Sequence, residues 1–158
     1  MQSNFTKVSL LNQMIGNPVG NLSQPDWDAL QAQLDIVRQE FEEMEEAIQK
    51  RDTELLRDAT GDVLVTAYGM AHRAGIDADL DMHLIQESNL SKFCHSEQEA
   101  LDTAKKYEKL GVKVIYRHLN EFNVIAVVSR EDQIGLDQKH YPYGKLLKSV
   151  NFKEPVFS

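Results

Sequence analysis

The chain has 158 residues, of which 42% are hydrophobic, and a formal net charge of −8. The length suits one compact domain with its own core, and the acidic balance argues against nucleic acid or an anionic membrane as the main partner. The single cysteine, Cys94, excludes an internal disulfide and a cysteine-based zinc site. Because we see no signal-like segment and no apolar run of transmembrane length, we expect a cytoplasmic protein.

The first part of the chain predicts a short helix, a loop and a long helix. Residues 4–15 are expected to form a helix or turn, one side of which carries Phe5, Val8, Leu11 and Ile15. The segment GNPVGNLSQPDW that follows is dense in Gly, Asn and Pro, which is typical of a loop. Asp26 or Ser23 is expected to cap a long helix that runs to about Lys50.

A second long helix follows a break at Arg51 and Asp52. Thr53 is the expected cap of this helix, which runs to about Arg73 and ends before Gly75.

Two further helices and a hairpin complete the predicted elements. Asp77 or Asp79 is expected to cap a helix that reaches about Phe93, and Ser96 caps another that ends at Gly111. The segments VKVIYRH and NVIAVVS then predict two strands, with LNEF as the turn between them. The tail after them is rich in loop residues.

The fold class expected from these elements is mainly α. The helical core covers residues 1–110, and residues 111–158 form a β-hairpin and a loop-rich tail appended to the same domain.

Two pairs of carboxylates lie on the two long helices. Glu40 and Glu43 are three residues apart and Asp58 and Asp62 four apart, so each pair shares a helix face. Four carboxylates around one spot repel one another unless a cation lies between them. Oxygen ligands favour hard cations such as Mg²⁺ or Mn²⁺, the usual partners of phosphate substrates.

Helical periodicity separates Glu40 and Glu43 from the neighbouring glutamates. The apolar stripe expected to face the core consists of Leu30, Leu34, Val37, Phe41, Met44 and Ile48. The side expected to face water carries Asp35, Arg38, Glu42, Glu46 and Gln49. Glu40 and Glu43 fall on a flank shared with Ile36 and Ala47, which suggests a partly buried cleft. The alternative is that all these glutamates form a solvated helix face.

Asp62 precedes the apolar run VLVTAYGMA, which is typical of a buried helix. An ionised carboxylate in such a run is costly unless it is paired or binds a metal. The alternatives are a buried ion pair of Asp62 with Arg57 or Arg73, and an ordinary surface position for Asp58.

The acidic helices and the later segment ESNLSKF together resemble the all-α NTP pyrophosphatases, the MazG/HisE-like superfamily, and in particular its phage-type branch. The matching pattern is ExxE on one helix, an acidic pair on the next, and then Asn89 and Lys92. The phrases DVLVTAYGMAHRAGID and YPYGKLLKS also look like that branch. The chain departs from the pattern where Ala59 replaces the usual first acid of the second pair, with Asp58 one residue earlier, and where Gln39 replaces a frequent acid.

The resemblance implies a four-helix MazG-like core and hydrolysis of a (d)NTP to (d)NMP and pyrophosphate with two or three Mg²⁺ or Mn²⁺ ions. The implied metal ligands are Glu40, Glu43, Asp58 and Asp62. The implied catalytic residues are Glu40, Glu43, Asp62 and Lys92. The implied substrate-binding residues are Asn12, Ile15, Gly16, Asn17, Trp27, Asn89 and Lys92. The resemblance also implies a homotetramer, or at least a dimer, that reshapes the phage dNTP pool in the host cytoplasm.

The choice of substrate stays open at the level of sequence. One branch that the chain resembles, MazZ, acts on purine deoxynucleotides, so dGTP or dATP is the first expectation and a pyrimidine such as dCTP or dUTP is the alternative. A non-catalytic helical interaction module is a third possibility.

Trp27 either stacks on a base or anchors the helix start. Four tail residues either form a lid over the phosphates or pack on a neighbouring subunit: Tyr141, Tyr143, Lys145 and Lys148.

Overall fold

A computed structural model of the chain describes residues 1–157, and the protein is mainly α as predicted. The five helices of this part are α1 Asn4–Met14, α2 Trp27–Lys50, α3 Thr53–Ala74, α4 Ala78–Leu90 and α5 Glu97–Glu108. The strands are β1 Val114–Leu119, β2 Val124–Ser129, β3 Gln133–Ile134 and β4 His140–Tyr141. No helix within residues 1–157 is both long and apolar enough to cross a bilayer.

The chain forms two compact units, Met1–Met82 and a second that begins at His83. The division falls inside α4 and not at residue 110. The organisation into a single domain stays a prediction.

In the first unit, α2 and α3 form a helical hairpin with a two-residue connection. Asp26 caps α2 as expected, because its side chain accepts a hydrogen bond from the Ala29 N–H at 3.0 Å. The expectation of Thr53 as the cap of α3 is wrong. Asp52 has the extended backbone of a cap, and its Oδ1 accepts from the backbone N–H groups of the second and third helical residues.

The face through which α2 packs coincides only in part with the predicted apolar stripe, of which Leu30, Leu34, Val37 and Met44 are half-buried. The fully buried residues of α2 are Gln33 and Ala47, whereas Phe41 and Ile48, both placed on the predicted core face, are 52% and 61% exposed. The predicted water-facing side is exposed throughout. The packing face is therefore rotated toward the flank that carries Glu40, which is half-buried.

The rotation follows from the small residues that α3 presents. Ala59 and Gly69 of α3 are buried, so the two helix backbones approach closely and leave little room for large side chains between them. Gln33 fills part of this space, and its Nε2 donates to the carbonyl oxygen of Thr66 at 2.9 Å. This pairing, together with the short connection, shows that the two helices run antiparallel.

Helix α1 packs on α3 with Phe5 and Val8. The Phe5 and Tyr68 ring centroids are 6.0 Å apart, and Val8 is buried. The expectation that Leu11 and Ile15 continue this face is wrong, since both are exposed.

The second unit has a core of its own between α5, the hairpin and the tail. The buried residues of this core are Cys94, Ala100, Tyr107, Val112, Ile125, Val127, Tyr141 and Leu147. Strands β1 and β2 pair antiparallel from Val114↔Ser129 to Leu119↔Val124, and the connection contains a short 3₁₀ turn, so the predicted hairpin is confirmed. Ser96 caps α5 as predicted.

Tyr141 belongs to the core of the second unit and is not part of a lid. Its ring packs edge-on against Tyr107 at 5.9 Å between centroids, and its hydroxyl donates to Asp137 at 2.8 Å. Burial, the hydrogen bond to Asp137 and the charge of Asp137 raise the pKa of Tyr141 to about 12. This side chain is thus a neutral packing residue at physiological pH.

Two glycines of α3 test the packing of the helical hairpin. A Cβ atom at Gly61 would meet nothing within 4 Å, whereas one at Gly69 would lie 2.8 Å from Nε2 of Gln33. Gly61→Ala should therefore stabilise the protein by about 0.5–1 kcal/mol, the usual gain in a helix interior. Gly69→Ala should destabilise it, because Gln33 must give up its bond to Thr66. Urea unfolding of both variants measures this, and equal stabilisation by both substitutions would contradict the described packing.

Candidate active site

Glu40 lies at the centre of an acidic cluster formed by α2 and α3. Its side chain is half-buried on the face of α2 that meets α3. Burial raises the pKa of Glu40 above its ordinary value of 4.5, and the negative charges of Glu43, Asp62 and Asp58 raise it further. The four carboxylates predicted to act together therefore share one electrostatic neighbourhood.

The antiparallel hairpin explains why these residues meet. Because α3 returns along α2 and Gly69 lies against Gln33, the residues seven after Gln33 and seven before Gly69 come to about the same level, and these are Glu40 and Asp62. Asp62 is half-buried, whereas Glu43 and Asp58 are exposed. The cluster is thus open to water on one side and backed by packed helix on the other.

The apolar run after Asp62 was expected to form a buried helix, and it is buried on one face only. Leu64 and Val65 are both exposed, because only one face of α3 packs against α2. The alternative of an ion pair with arginine is not observed either. Within residues 1–157 neither Arg57 nor Arg73 pairs with Asp62, and the ion pairs along α2 use acids on its water-facing side. The negative charge of the cluster is therefore not neutralised by the chain itself.

The four side chains fit a hard divalent cation in chemistry and in charge. Every donor is a carboxylate oxygen, the ligand that Mg²⁺ and Mn²⁺ prefer, and a bound cation would relieve the repulsion that contributes to the raised pKa of Glu40. Within the described part of the chain, no three or more His, Cys, Asp or Glu side chains already stand at ligating positions. Ligation therefore requires the carboxylates to converge.

The segment between α1 and α2 carries the predicted substrate-binding residues of the N-terminal region. Asn12 is buried, with its Nδ2 donating to the carbonyl of Val8 at 3.0 Å and its Oδ1 accepting from Nδ2 of Asn17 at 3.1 Å. Ile15 is 67% exposed, Gly16 is exposed, and Asn17 is half-buried. The structure thus places Ile15, Gly16 and Asn17 at the surface, and Asn12 behind them.

His72 of α3 was missed by the sequence reasoning, although it holds this segment in place. The side chain is 1% exposed, with Nδ1 at 2.9 Å from the Ser9 hydroxyl and Nε2 at 3.0 Å from the carbonyl oxygen of Asn17. A carbonyl only accepts hydrogen bonds, so Nε2 carries a proton and donates to it. The available signal was a lone histidine in the largely apolar segment DVLVTAYGMAHRAG.

Backbone contacts seat the same loop on the end of α3. The Gly20 N–H donates to the carbonyl oxygen of His72 at 2.9 Å. A Cβ atom at Gly20 would lie 1.8 Å from the carbonyl oxygen of Arg73, and one at Gly75 would lie 2.4 Å from the carbonyl oxygen of Gly20. Only glycine allows this approach, so the loop has a fixed place on α3.

Three predicted substrate-binding residues remain: Trp27, Asn89 and Lys92. Trp27, the first residue of α2, is 72% exposed, so it does not anchor the helix start in a core. Asn89 and Lys92 belong to the second unit. There Lys92 Nζ donates to Oδ1 of Asn89 at 2.6 Å, so the two residues act as a pair.

Comparison with known proteins gives the family. Residues 8–89, slightly more than half of the chain, match the family described as phosphoribosyl-ATP pyrophosphohydrolase. The chain therefore belongs to this family, which is part of the MazG-like NTP pyrophosphatase superfamily. The matched residues contain both acidic pairs and Asn89 and end before Lys92. Divalent cations such as Mg²⁺ are in general use in the family.

The chain is also similar to a viral protein. It is 33% identical over 101 residues to the uncharacterized protein L479 of Acanthamoeba polyphaga mimivirus. The alignment covers 61% of this chain and 36% of the viral protein, so the chain spans about a third of the curated relative it matches.

The raised pKa of Glu40 predicts a pH-dependent stability in the absence of metal. Below pH 4.5, the ordinary pKa, Glu40 is protonated in both the folded and the unfolded chain and does not lower the free energy of unfolding. As the pH rises through the interval between 4.5 and the raised value, the unfolded state ionises first and the folded state loses stability. Glu40→Gln should therefore be more stable than wild type at pH 7, and this advantage should vanish below pH 4.5.

Chemical unfolding in EDTA between pH 4 and pH 8 measures this difference. Glu42→Gln, at an exposed position two residues away, is the matched control and should show no such pH-dependent gain. If Glu40→Gln raises the free energy of unfolding by the same amount at every pH, the charge of Glu40 is not the cause and the proposed repulsion is wrong.

Proposed function

We propose that the protein is a metal-dependent nucleoside triphosphate pyrophosphohydrolase, which converts a (d)NTP and water to the (d)NMP and pyrophosphate. The observation that carries this proposal is the unneutralised cluster of Glu40, Glu43, Asp58 and Asp62. The cluster lies inside the residues that match a pyrophosphohydrolase family. Its oxygen donors and its excess charge suit the cations that accompany phosphate chemistry.

The chemistry needs positioning and charge neutralisation rather than a covalent intermediate. When two or three Mg²⁺ ions are bound, they neutralise phosphate oxygens and lower the pKa of a bound water. The four carboxylates would hold these ions, with the half-buried Glu40 and Asp62 as the more rigid members. Glu43 and Asp58, on the exposed side, would close the ligand shell.

The substrate that we propose is a purine deoxynucleotide such as dGTP or dATP, drawn from a phage dNTP pool. The support is the resemblance to the phage-type branch, together with exposed groups suited to a base: the indole of Trp27, the apolar side chain of Ile15 and the amide of Asn17. A pyrimidine deoxynucleotide and phosphoribosyl-ATP are the substrates to be compared with it.

Asn89 and Lys92 are proposed to contribute a hydrogen bond and a positive charge to substrate binding. This role rests on the resemblance alone. Lys92→Gln in the assay described below would measure it as a rise in KM.

We further propose that the protein acts as a homotetramer, or at least as a dimer. Phe41, Ile48 and Leu64 lie on the same two helices as the acidic cluster and are each more than half exposed. Large apolar side chains exposed on a pair of helices are suited to a partner surface. Sedimentation equilibrium of the full chain reports the assembly directly.

A nucleotide panel tests the proposed activity. Purified protein with Mg²⁺ or Mn²⁺ should release pyrophosphate and a nucleoside monophosphate from at least one of the (d)NTPs, and EDTA should stop the reaction. Chromatography of the products, with phosphoribosyl-ATP included in the panel, identifies the base and the bond cleaved together. Release of orthophosphate alone would contradict cleavage between the α- and β-phosphates. A panel without any turnover would favour a non-catalytic interaction module.

Four matched variants identify the glutamates that act in this reaction. Glu40→Gln and Glu43→Gln should each lower turnover by about 100-fold or more, because each is proposed to hold a cation in the transition state. Glu42→Gln and Glu46→Gln make the same chemical change on the water-facing side of α2 and should lower turnover far less. The reverse order would place the metal on the other face of the helix.

A further inference from the structure

His72 joins three parts of the first unit through one buried side chain. It lies on α3, contacts α1 through the Ser9 hydroxyl, and donates to the carbonyl oxygen of Asn17 in the following loop. Both ring nitrogens are engaged, and the side chain is shielded from water. His72 is therefore placed to fix the loop and not to touch a substrate.

The residue that these bonds fix most tightly is Asn17. Its backbone N–H donates to the carbonyl of Asn12 at 2.9 Å, and its carbonyl accepts from His72 at 3.0 Å. Its side-chain Nδ2 donates to Oδ1 of Asn12 at 3.1 Å. The peptide groups on both sides of Asn17, as well as one hydrogen of its amide, are thus held by the protein.

The remaining hydrogen-bonding groups of the Asn17 amide are free to bind a ligand. Within residues 1–157, Oδ1 and the second hydrogen of Nδ2 have no protein partner, and the side chain is half-buried at the surface. An amide in this state offers one acceptor beside one donor, the pattern that pairs with the edge of a nucleobase. Ile15 and Val19, two residues before and two after Asn17 in the chain, have exposed apolar side chains, which suit the flat faces of a ring.

We infer that Asn17 is the residue that reads the base of the nucleotide, and that His72 is the positioning residue that fixes it. Asn12, whose amide bonds internally at both ends, acts through Asn17 and does not meet the base. This inference rests on the proposed function and deepens it by assigning base selection to one amide and its buried support.

A pair of substitutions at His72 separates positioning from simple stability. The amide of glutamine reaches to the place of Nε2 and keeps a donor for the carbonyl of Asn17, whereas the shorter asparagine reaches only to the place of Nδ1, beside Ser9. His72→Asn should therefore raise KM for the preferred nucleotide about 10-fold, as expected for one lost hydrogen bond, with a much smaller change in kcat. His72→Gln should restore KM to within about threefold of wild type.

Asn17→Ala tests the reading residue, and its Tm is measured alongside, because the substitution removes a hydrogen bond to the buried Asn12. It should raise KM as His72→Asn does, and it should narrow the ratio of kcat/KM between the best and the worst base. Combining the two substitutions should narrow that ratio no further than Asn17→Ala alone, since both act on the same contact.

Calorimetric titration with nucleoside monophosphates in EDTA gives a readout that does not depend on turnover. The Kd of the preferred monophosphate should rise about 10-fold in His72→Asn and in Asn17→Ala, and not in His72→Gln. If Asn17→Ala keeps the wild-type KM and the wild-type ratio of kcat/KM between the best and the worst base, the inference is overturned while the proposed function stands. If His72→Asn lowers kcat equally for every nucleotide without changing KM, its role is structural only and the inference is overturned. Wild type that turns over no nucleotide overturns the proposed function and this inference together.

Discussion

Repulsion between like charges, held in place by the close packing of two helices, is the constraint around which the first unit is arranged. Ala59 and Gly69 allow α3 to approach α2, and this approach brings Asp62 beside Glu40. Glu40 and Asp62, both half-buried on the packed helices, stay in the same neighbourhood as long as the helices remain together. The cluster therefore stores a destabilising interaction that a cation would turn into a stabilising one. A destabilising interaction of this kind is expected at a functional site, where proteins give up some stability.

The N-terminal loop is the second part that the packing fixes in advance. Its position depends on a buried histidine and on glycine backbones that touch, so it does not need a ligand to become ordered. The acidic cluster and the loop are both attached to α3, with Asp62 and His72 ten residues apart, a rise of about 15 Å along the helix axis. One rigid helix thus carries both Asp62, which is proposed to hold metal, and His72, which is proposed to position the amide that selects a base.

Much of the fold could be predicted from local signals in the sequence. The loop composition, the caps Asp26 and Ser96, and the change of period after Gly111 place the helices and the hairpin close to where they are observed. The water-facing side of α2 was also predictable, because its charged side chains are costly to bury and therefore remain in water. These features depend on residues near one another in the chain.

The errors lie where a distant partner decides the outcome. The packing face of α2 is set by small residues of α3, which favour Gln33 and Ala47 over Phe41 at the contact. The four acids could be predicted as a group, because each pair follows helical spacing. The role of His72 could not, since the carbonyl that it bonds is 55 residues away. Periodicity carries no information about such a contact.

The four carboxylates are proposed to form a cation site whose repulsion the fold tolerates. A thermal-shift titration with Mg²⁺ and Mn²⁺ on wild type and on Asp62→Asn tests this proposal most directly. Without metal the variant should melt no lower than wild type, because a repelling charge is removed with little change of shape. Added metal should raise the Tm of wild type and raise that of the variant less. If Asp62→Asn unfolds the protein while metal leaves wild type unchanged, Asp62 is a structural residue and the account of the site is wrong.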